Sequence, residues 1–185
     1  MQKTNALRIL DKQKIEYEVF EYDTNLTNGE LVAEALKENK AQVFKTLVTI
    51  SNTKEYFVFV VPVAETLDLK KAAKVAGVKS VDMLPQKELL PLTGYIHGGC
   101  SPVGMKKQFK TFINDSASYF EKIFVSAGRV GMQVKISPYD LQKVTKSEFV
   151  DIIYFKENVW YFCQMVYNGV VNKEILWKKL YQLHS

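Results

Sequence analysis

Two runs, residues 43–50 and 56–63, constrain this chain more than any other feature. Both are rich in β-branched and aromatic residues, and Ser51-Asn52-Thr53-Lys54 lies between them. Two such runs joined by a short polar segment predict a β-hairpin. One residue breaks the pattern: Lys45 interrupts the first apolar run. A charge there is costly unless it is paired or faces a cleft. The competing reading is a lysine on an outward strand face with its head in water, since strand faces alternate.

The segments around the hairpin mix helix and strand signals. Thr4 is placed to cap a first helix carrying Leu7 and Leu10. Residues 17–22 alternate hydrophobic and acidic side chains with a slip in the middle, which reads as a strand with a bulge. Thr27 and Glu30 have capping-box spacing ahead of Leu31, Val32, Ala35 and Leu36. Asp68 and Gly77 bracket another helix as cap and stop. A short helix is expected over residues 86–90, and strands over 110–113, 122–125 and 132–136. Ser137-Pro138 opens a further helix, with serine as cap and proline first in the helix. No regular βαβ period appears, so the expected fold is α+β, a single domain with a mixed sheet.

Composition excludes several classes. A length of 185 residues suits one domain with a full core. The two cysteines, Cys100 and Cys163, make no disulfide framework. The two histidines, His97 and His184, have no ligand spacing, so no metal is expected. Lys3 and Arg8 break the first apolar patch, which argues against a signal peptide. The longest apolar run covers residues 56–64, whereas spanning a bilayer takes about 20 residues. A soluble, cytoplasmic protein is the expectation. The net charge of +5 is mild and admits a phosphate-bearing partner without requiring one.

Two glycine loops stand out. Residues 93–104 read Thr-Gly-Tyr-Ile-His-Gly-Gly-Cys-Ser-Pro-Val-Gly, and residues 125–131 read Val-Ser-Ala-Gly-Arg-Val-Gly. Gly99 and Gly104 have the spacing of a phosphate-binding loop, but Met105 stands where that motif needs lysine. Nucleotide hydrolysis is rejected on that ground. Cys100 in the first loop is read as a small hydrophobe rather than a nucleophile. His97 is read as structural. With two histidines in the chain there is little from which to build a nucleophilic triad.

Four blocks together carry a resemblance: Phe44-Lys45-Thr46-Leu47-Val48, Thr66-Leu67-Asp68-Leu69-Lys70-Lys71, and the two glycine loops. In this order and spacing the chain resembles the YbaK/EbsC family of trans-editing domains, which are similar to the insertion domain of bacterial-type prolyl-tRNA synthetases. The match covers roughly residues 3 to 155, and the editing domain is set at residues 1–155. Residues 156–185 lie outside it and read as an aromatic-rich helical extension, either packed on the parent domain or used as an interface.

The resemblance implies a mostly antiparallel, barrel-like sheet surrounded by helices. It implies cleavage of the ester between an amino acid and tRNA(Pro), with cysteine favoured and no cofactor. In cysteine-specific members the substrate's own thiol attacks its carbonyl. Carried onto this sequence, Lys45, Gly98 and Gly99 are the candidate catalytic residues. Tyr22, Thr46, Ser126, Gly128 and Arg129 are the candidate substrate-binding residues. Implied partners are the acceptor end of tRNA(Pro) and, for some members, prolyl-tRNA synthetase in a ternary complex, but neither DNA nor a membrane. Three alternatives stay open. One is a deacylase for Ala-tRNA(Pro). Another is a non-catalytic module that binds tRNA or a synthetase. The last is a protein-interaction domain acting through the aromatic tail.

Overall fold

The computed structural model describes residues 3–26 and 28–154. The proposed extension and the 156 boundary lie outside them. Helix α1 (Asn5–Lys12) is capped by the Thr4 hydroxyl and buries Ala6, Leu7 and Leu10. Strand β1 (Tyr17–Glu21) and helix α2 (Gly29–Ala35) follow. The hairpin is strands β2 (Phe44–Ser51) and β3 (Tyr56–Pro62), paired from Phe44–Pro62 to Ile50–Tyr56. At its turn the Ser51 hydroxyl accepts the Thr53 and Glu55 N–H groups at 3.2 and 3.0 Å.

Helix α3 (Leu69–Ala76) begins at an Asp68 cap and ends on left-handed Gly77. Strand β4 (Val81–Met83), helix α4 (Gln86–Thr93) and strand β5 (Lys110–Asn114) come next. A 3₁₀ turn, Asp115–Tyr119, leads to β6 (Ile123–Ser126), β7 (Met132–Ile136), α5 (Pro138–Thr145) and β8 (Glu148–Val150).

The strands form two sheets, ordered β1-β7-β6 and β4-β2-β3-β5-β8. The first is antiparallel. The second is mixed, because β5 runs parallel to both β3 and β8. Among the described residues the sheets do not close into the expected barrel. The sheets meet at one parallel bridge, Val43 with Phe124, and their pairing does not continue beyond it. The main core lies between them, with Phe44, Val60, Ile113, Val125 and Ile136 inside. A second cluster, around Phe59, Val61 and Phe112, lies under α3. Each fully buried side chain of this size stabilises the fold by about 2–3 kcal/mol.

Local details depart from expectation for physical reasons. β1 has no bulge, and its ladder with β7 runs unbroken from Tyr17–Ile136 to Glu21–Met132. The slip in its pattern arises because both faces are covered: Val19 packs on the main core, and Phe20 packs with Ala33 and Phe124. Asn28 caps α2, while Thr27 lies outside the described residues. Ser137 precedes α5 without a side-chain capping bond. Helix α4 runs past Pro91 to Thr93, and the Thr93 hydroxyl donates to the Leu89 carbonyl at 2.7 Å. No helix among the described residues is long and apolar enough to cross a membrane.

Candidate active site

The joint between the sheets organises the polar residues. Phe20 pairs with Gln133, and Gln133 pairs with Ser126, so these three side chains share one face. The Tyr22 N–H donates to the Gly131 carbonyl at 3.0 Å, which extends that register and places Tyr22 on the same face. The Val43–Phe124 bridge carries the face onto β2, where Lys45 alternates with Val43. At the joint the face is apolar, with Phe20 and Phe124 edge to face at 5.2 Å. Two residues further along each strand it turns polar. Lys45, Ser126, Gln133 and Tyr22 are thereby gathered from three regions of sequence.

Lys45 is half-buried and held in place. Its Nζ donates to the Val63 carbonyl at 3.0 Å. Val63 in turn lies tightly under the start of α2: a Cβ on Gly29 would meet Val63 Cγ1 at 2.5 Å. Thr46 points to the opposite face, as alternation requires. Its hydroxyl is buried and has no hydrogen-bond partner among the described residues.

The second loop places Ser126, which is buried, beside the joint. Its hydroxyl oxygen accepts the Gly128 N–H at 3.3 Å. Gly128 is left-handed, at φ 95°, and a Cβ there would strike the Tyr95 ring at 2.9 Å. Arg129 turns elsewhere. Its guanidinium is exposed and bonded to Glu21 at 3.1 Å, and Glu21 alternates away from the Tyr22 face.

The first loop packs against the second. A Cβ on Gly99 would meet the Val130 nitrogen at 2.7 Å and the Arg129 carbonyl carbon at 2.8 Å. The Gly99 N–H is spent on the Ile96 carbonyl at 3.1 Å. Gly99 therefore permits close packing of the loops and does not offer its N–H to an oxyanion. Gly98 is left-handed, at φ 79°, and half-exposed. Cys100 is 7% exposed, and burial pushes its thiol up to about 12, opposed by a hydrogen bond with Thr93. A thiol so placed carries almost no thiolate near neutrality. His97 is exposed on the same loop.

Gln133 was not singled out from the sequence. It is 6% exposed, and its Oε1 has no hydrogen-bond partner among the described residues. Buried acceptors are nearly always paired, so an orphan on a polar face points to a group that meets ligand. The available signal was the alternation of β7, where Gln133 and Lys135 interrupt Met132, Val134 and Ile136.

Comparisons with known proteins identify the family. The sequence profile of the aminoacyl-tRNA editing domain matches residues 25–144. The chain is 44% identical over 153 residues to EbsC of Enterococcus faecalis, named as a candidate Cys-tRNA(Pro)/Cys-tRNA(Cys) deacylase; the match covers 82% of this chain and 93% of EbsC. It is 24% identical over 138 residues to YwhH of Bacillus subtilis, covering 74% and 87% respectively. A solved structure described as a candidate trans-editing enzyme for prolyl-tRNA synthetase superimposes with a TM-score of 0.75 at 21% identity, covering 84% of this chain and all of that one. The chain belongs to the aminoacyl-tRNA editing domain family, on its YbaK/EbsC branch.

Proposed function

We propose that this chain is a trans-editing deacylase that removes cysteine from tRNA(Pro) in the cytoplasm. The observation that carries this reading is Lys45, a charged side chain held at the Val63 carbonyl on the polar part of the face shared with Ser126 and Tyr22. The 44% identity to EbsC supports the same reading.

The chemistry follows from what surrounds Lys45. The one described cysteine, Cys100, is a buried thiol and a poor nucleophile. The substrate supplies the nucleophile instead. Its thiol sulfur bonds to its own carbonyl carbon, the ester C–O bond breaks, and the ribose oxygen takes the thiol proton. The products are uncharged tRNA and a cyclic thiolactone. Lys45 stabilises the negative charge that develops on the carbonyl oxygen, and the Gly98 backbone adds a donor. Tyr22 and Ser126 position the aminoacyl ribose, while Thr46, on the opposite face of β2, is not among the groups that reach it. Gly128 gives the turn that holds Ser126. Arg129 holds a phosphate of the acceptor end once released from Glu21, a surface pair worth at most about 1 kcal/mol. Prolyl-tRNA synthetase supplies the tRNA selectivity in a ternary complex.

Parallel deacylation assays on Cys-, Ala- and Pro-tRNA(Pro), with and without prolyl-tRNA synthetase, test the proposal. Preferential loss of cysteine supports it. Preferential loss of alanine removes the thiol-assisted step.

A further inference from the structure

A cavity of about 220 Å³ lies away from the Lys45 face, where the end of α1, the end of α5 and the segment following the first glycine loop converge. Gln13, Val103, Lys107, Gln108, Thr111 and Val144 are among its lining residues. Each converging segment brings exposed lysines: Lys12 and Lys14 beside Gln13, Lys107 in the loop, and Lys143 and Lys146 beside Val144 and Thr145.

Among the described residues these lysines have no carboxylate partner, a state they share with Lys37, Lys54, Lys70, Lys74, Lys79 and Lys87, and what sets them apart is the convergence of their segments on one cavity. Lys3, Lys40, Lys71, Lys122 and Lys135 each pair with a carboxylate. Among the described residues, Lys12, Lys14, Lys107, Lys143 and Lys146 have no such ion pair. Asp11, an acid on the same helix, is already taken by Lys3 and by the Tyr17 hydroxyl. Lys14 and Lys146 hold left-handed backbone just past their helices, at φ 56° and 53°. A cation after a helix C-terminus offsets the helix dipole. With Lys12 and Lys143 in the last turns of the same two helices, that accounts for four of the five charges and not for Lys107 in its loop.

We propose that this cavity and its lysine rim hold the phosphate backbone of the tRNA, as an anchor separate from the ester-cleaving residues. The proposal rests on the reading that the chain acts on aminoacyl-tRNA. Convergent unpaired cations attract a polyanion, and the Gln13 and Gln108 amides suit ribose hydroxyls and phosphate oxygens. The loop links the two places. The Tyr95 hydroxyl donates to the Val103 carbonyl at 2.7 Å at the cavity, and the Tyr95 ring packs on Gly128 beside Ser126. One segment thus touches both the acyl end and the anchor.

The test is binding of uncharged tRNA across a salt series, which reads the anchor independently of catalysis. The variant is Lys14→Glu with Lys107→Glu and Lys146→Glu. A control with the same charge change, Lys70→Glu with Lys74→Glu and Lys79→Glu, alters lysines on and beyond α3. The rim variant is expected to bind tRNA at least tenfold more weakly than the control. Its dependence of log affinity on log salt should be shallower by about two to three. A triple Lys→Gln rim variant should show the same effect in smaller measure, and a thermal melt confirms that each variant is folded. Rim-variant affinity within twofold of wild type overturns the proposal, as does equal loss in rim and control variants. A wild type without salt-dependent tRNA affinity overturns it too. If wild type binds tRNA but cleaves no aminoacyl ester, the deacylase reading fails while the binding result still decides the anchor.

Discussion

Gly99 packs on Val130 so closely that a methyl group at Gly99 would lie 2.7 Å from the Val130 backbone nitrogen. The obstruction is backbone, which cannot rotate aside as a side chain can. The contact fixes the first glycine loop against the loop that carries Ser126. Gly99→Ala is therefore expected to destabilise the fold by about 1–3 kcal/mol. It should also lower deacylation in the fraction that remains folded, because the Ser126 loop must shift. Thermal melts and initial rates on the same sample check both. Unchanged stability would mean that the loops are not locked together.

Thr46 and Gln133 each bury a polar atom that has no partner among the described residues. A buried unsatisfied group costs about 1–3 kcal/mol, so removing it should not weaken the fold. Thr46→Val and Gln133→Leu are expected to melt at or above the wild-type temperature. Gln133→Leu should lose deacylase activity by about tenfold or more, whereas Thr46→Val, on the face of β2 opposite Lys45, should keep it. For Gln133 stability and activity thus move in opposite directions, which a purely structural role does not produce. Full activity in Gln133→Leu removes that residue from the site.

Cys100 predicts a response to alkali. Burial raises its folded pKa from the ordinary 9.0 to about 12. Below pH 9 both folded and unfolded states hold the proton, and the stability it contributes is complete. As pH rises from 9 toward 12 the unfolded state sheds the proton first, so this contribution is progressively lost. Cys100→Ala should melt lower at pH 7, through the cavity it leaves, yet lose stability less steeply above pH 9. It should keep its deacylase activity. Loss of activity with the fold intact would restore Cys100 as a participant.

Much of the fold was legible because short-range chemistry decided it. The polar turn between two apolar runs specified β2 and β3, and Asp68 with Gly77 delimited α3. The short strands were not legible. β4 pairs with β2 only from Thr49 to Ser51, and β8 is set beside β5 by chain path rather than by its own three residues. Barrel closure was unreadable for a related reason. Whether β6 keeps pairing with β2 beyond Val43–Phe124 depends on how two sheets splay, which no local pattern encodes. Among candidate site residues, Lys45 was visible as a charge in an apolar strand. Gly99 stood among the candidate catalytic residues because sequence does not reveal that the Ile96 carbonyl accepts its N–H. Gln133 was missed because the alternation of β7 marks it only as a polar residue in a strand, and its place beside Phe20 and Ser126 follows from the pairing of three strands.

The most direct test of the central claim is the rate of Cys-tRNA(Pro) deacylation by wild type and by Lys45→Ala, with Ala-tRNA(Pro) alongside. The account predicts that wild type cleaves the cysteinyl ester preferentially. It predicts that Lys45→Ala, still folded, is slower by about a hundredfold or more, the usual cost of removing a group that stabilises a developing oxyanion. A wild type inactive on both esters, with prolyl-tRNA synthetase present or absent, would contradict the account, and so would a Lys45→Ala variant as fast as wild type.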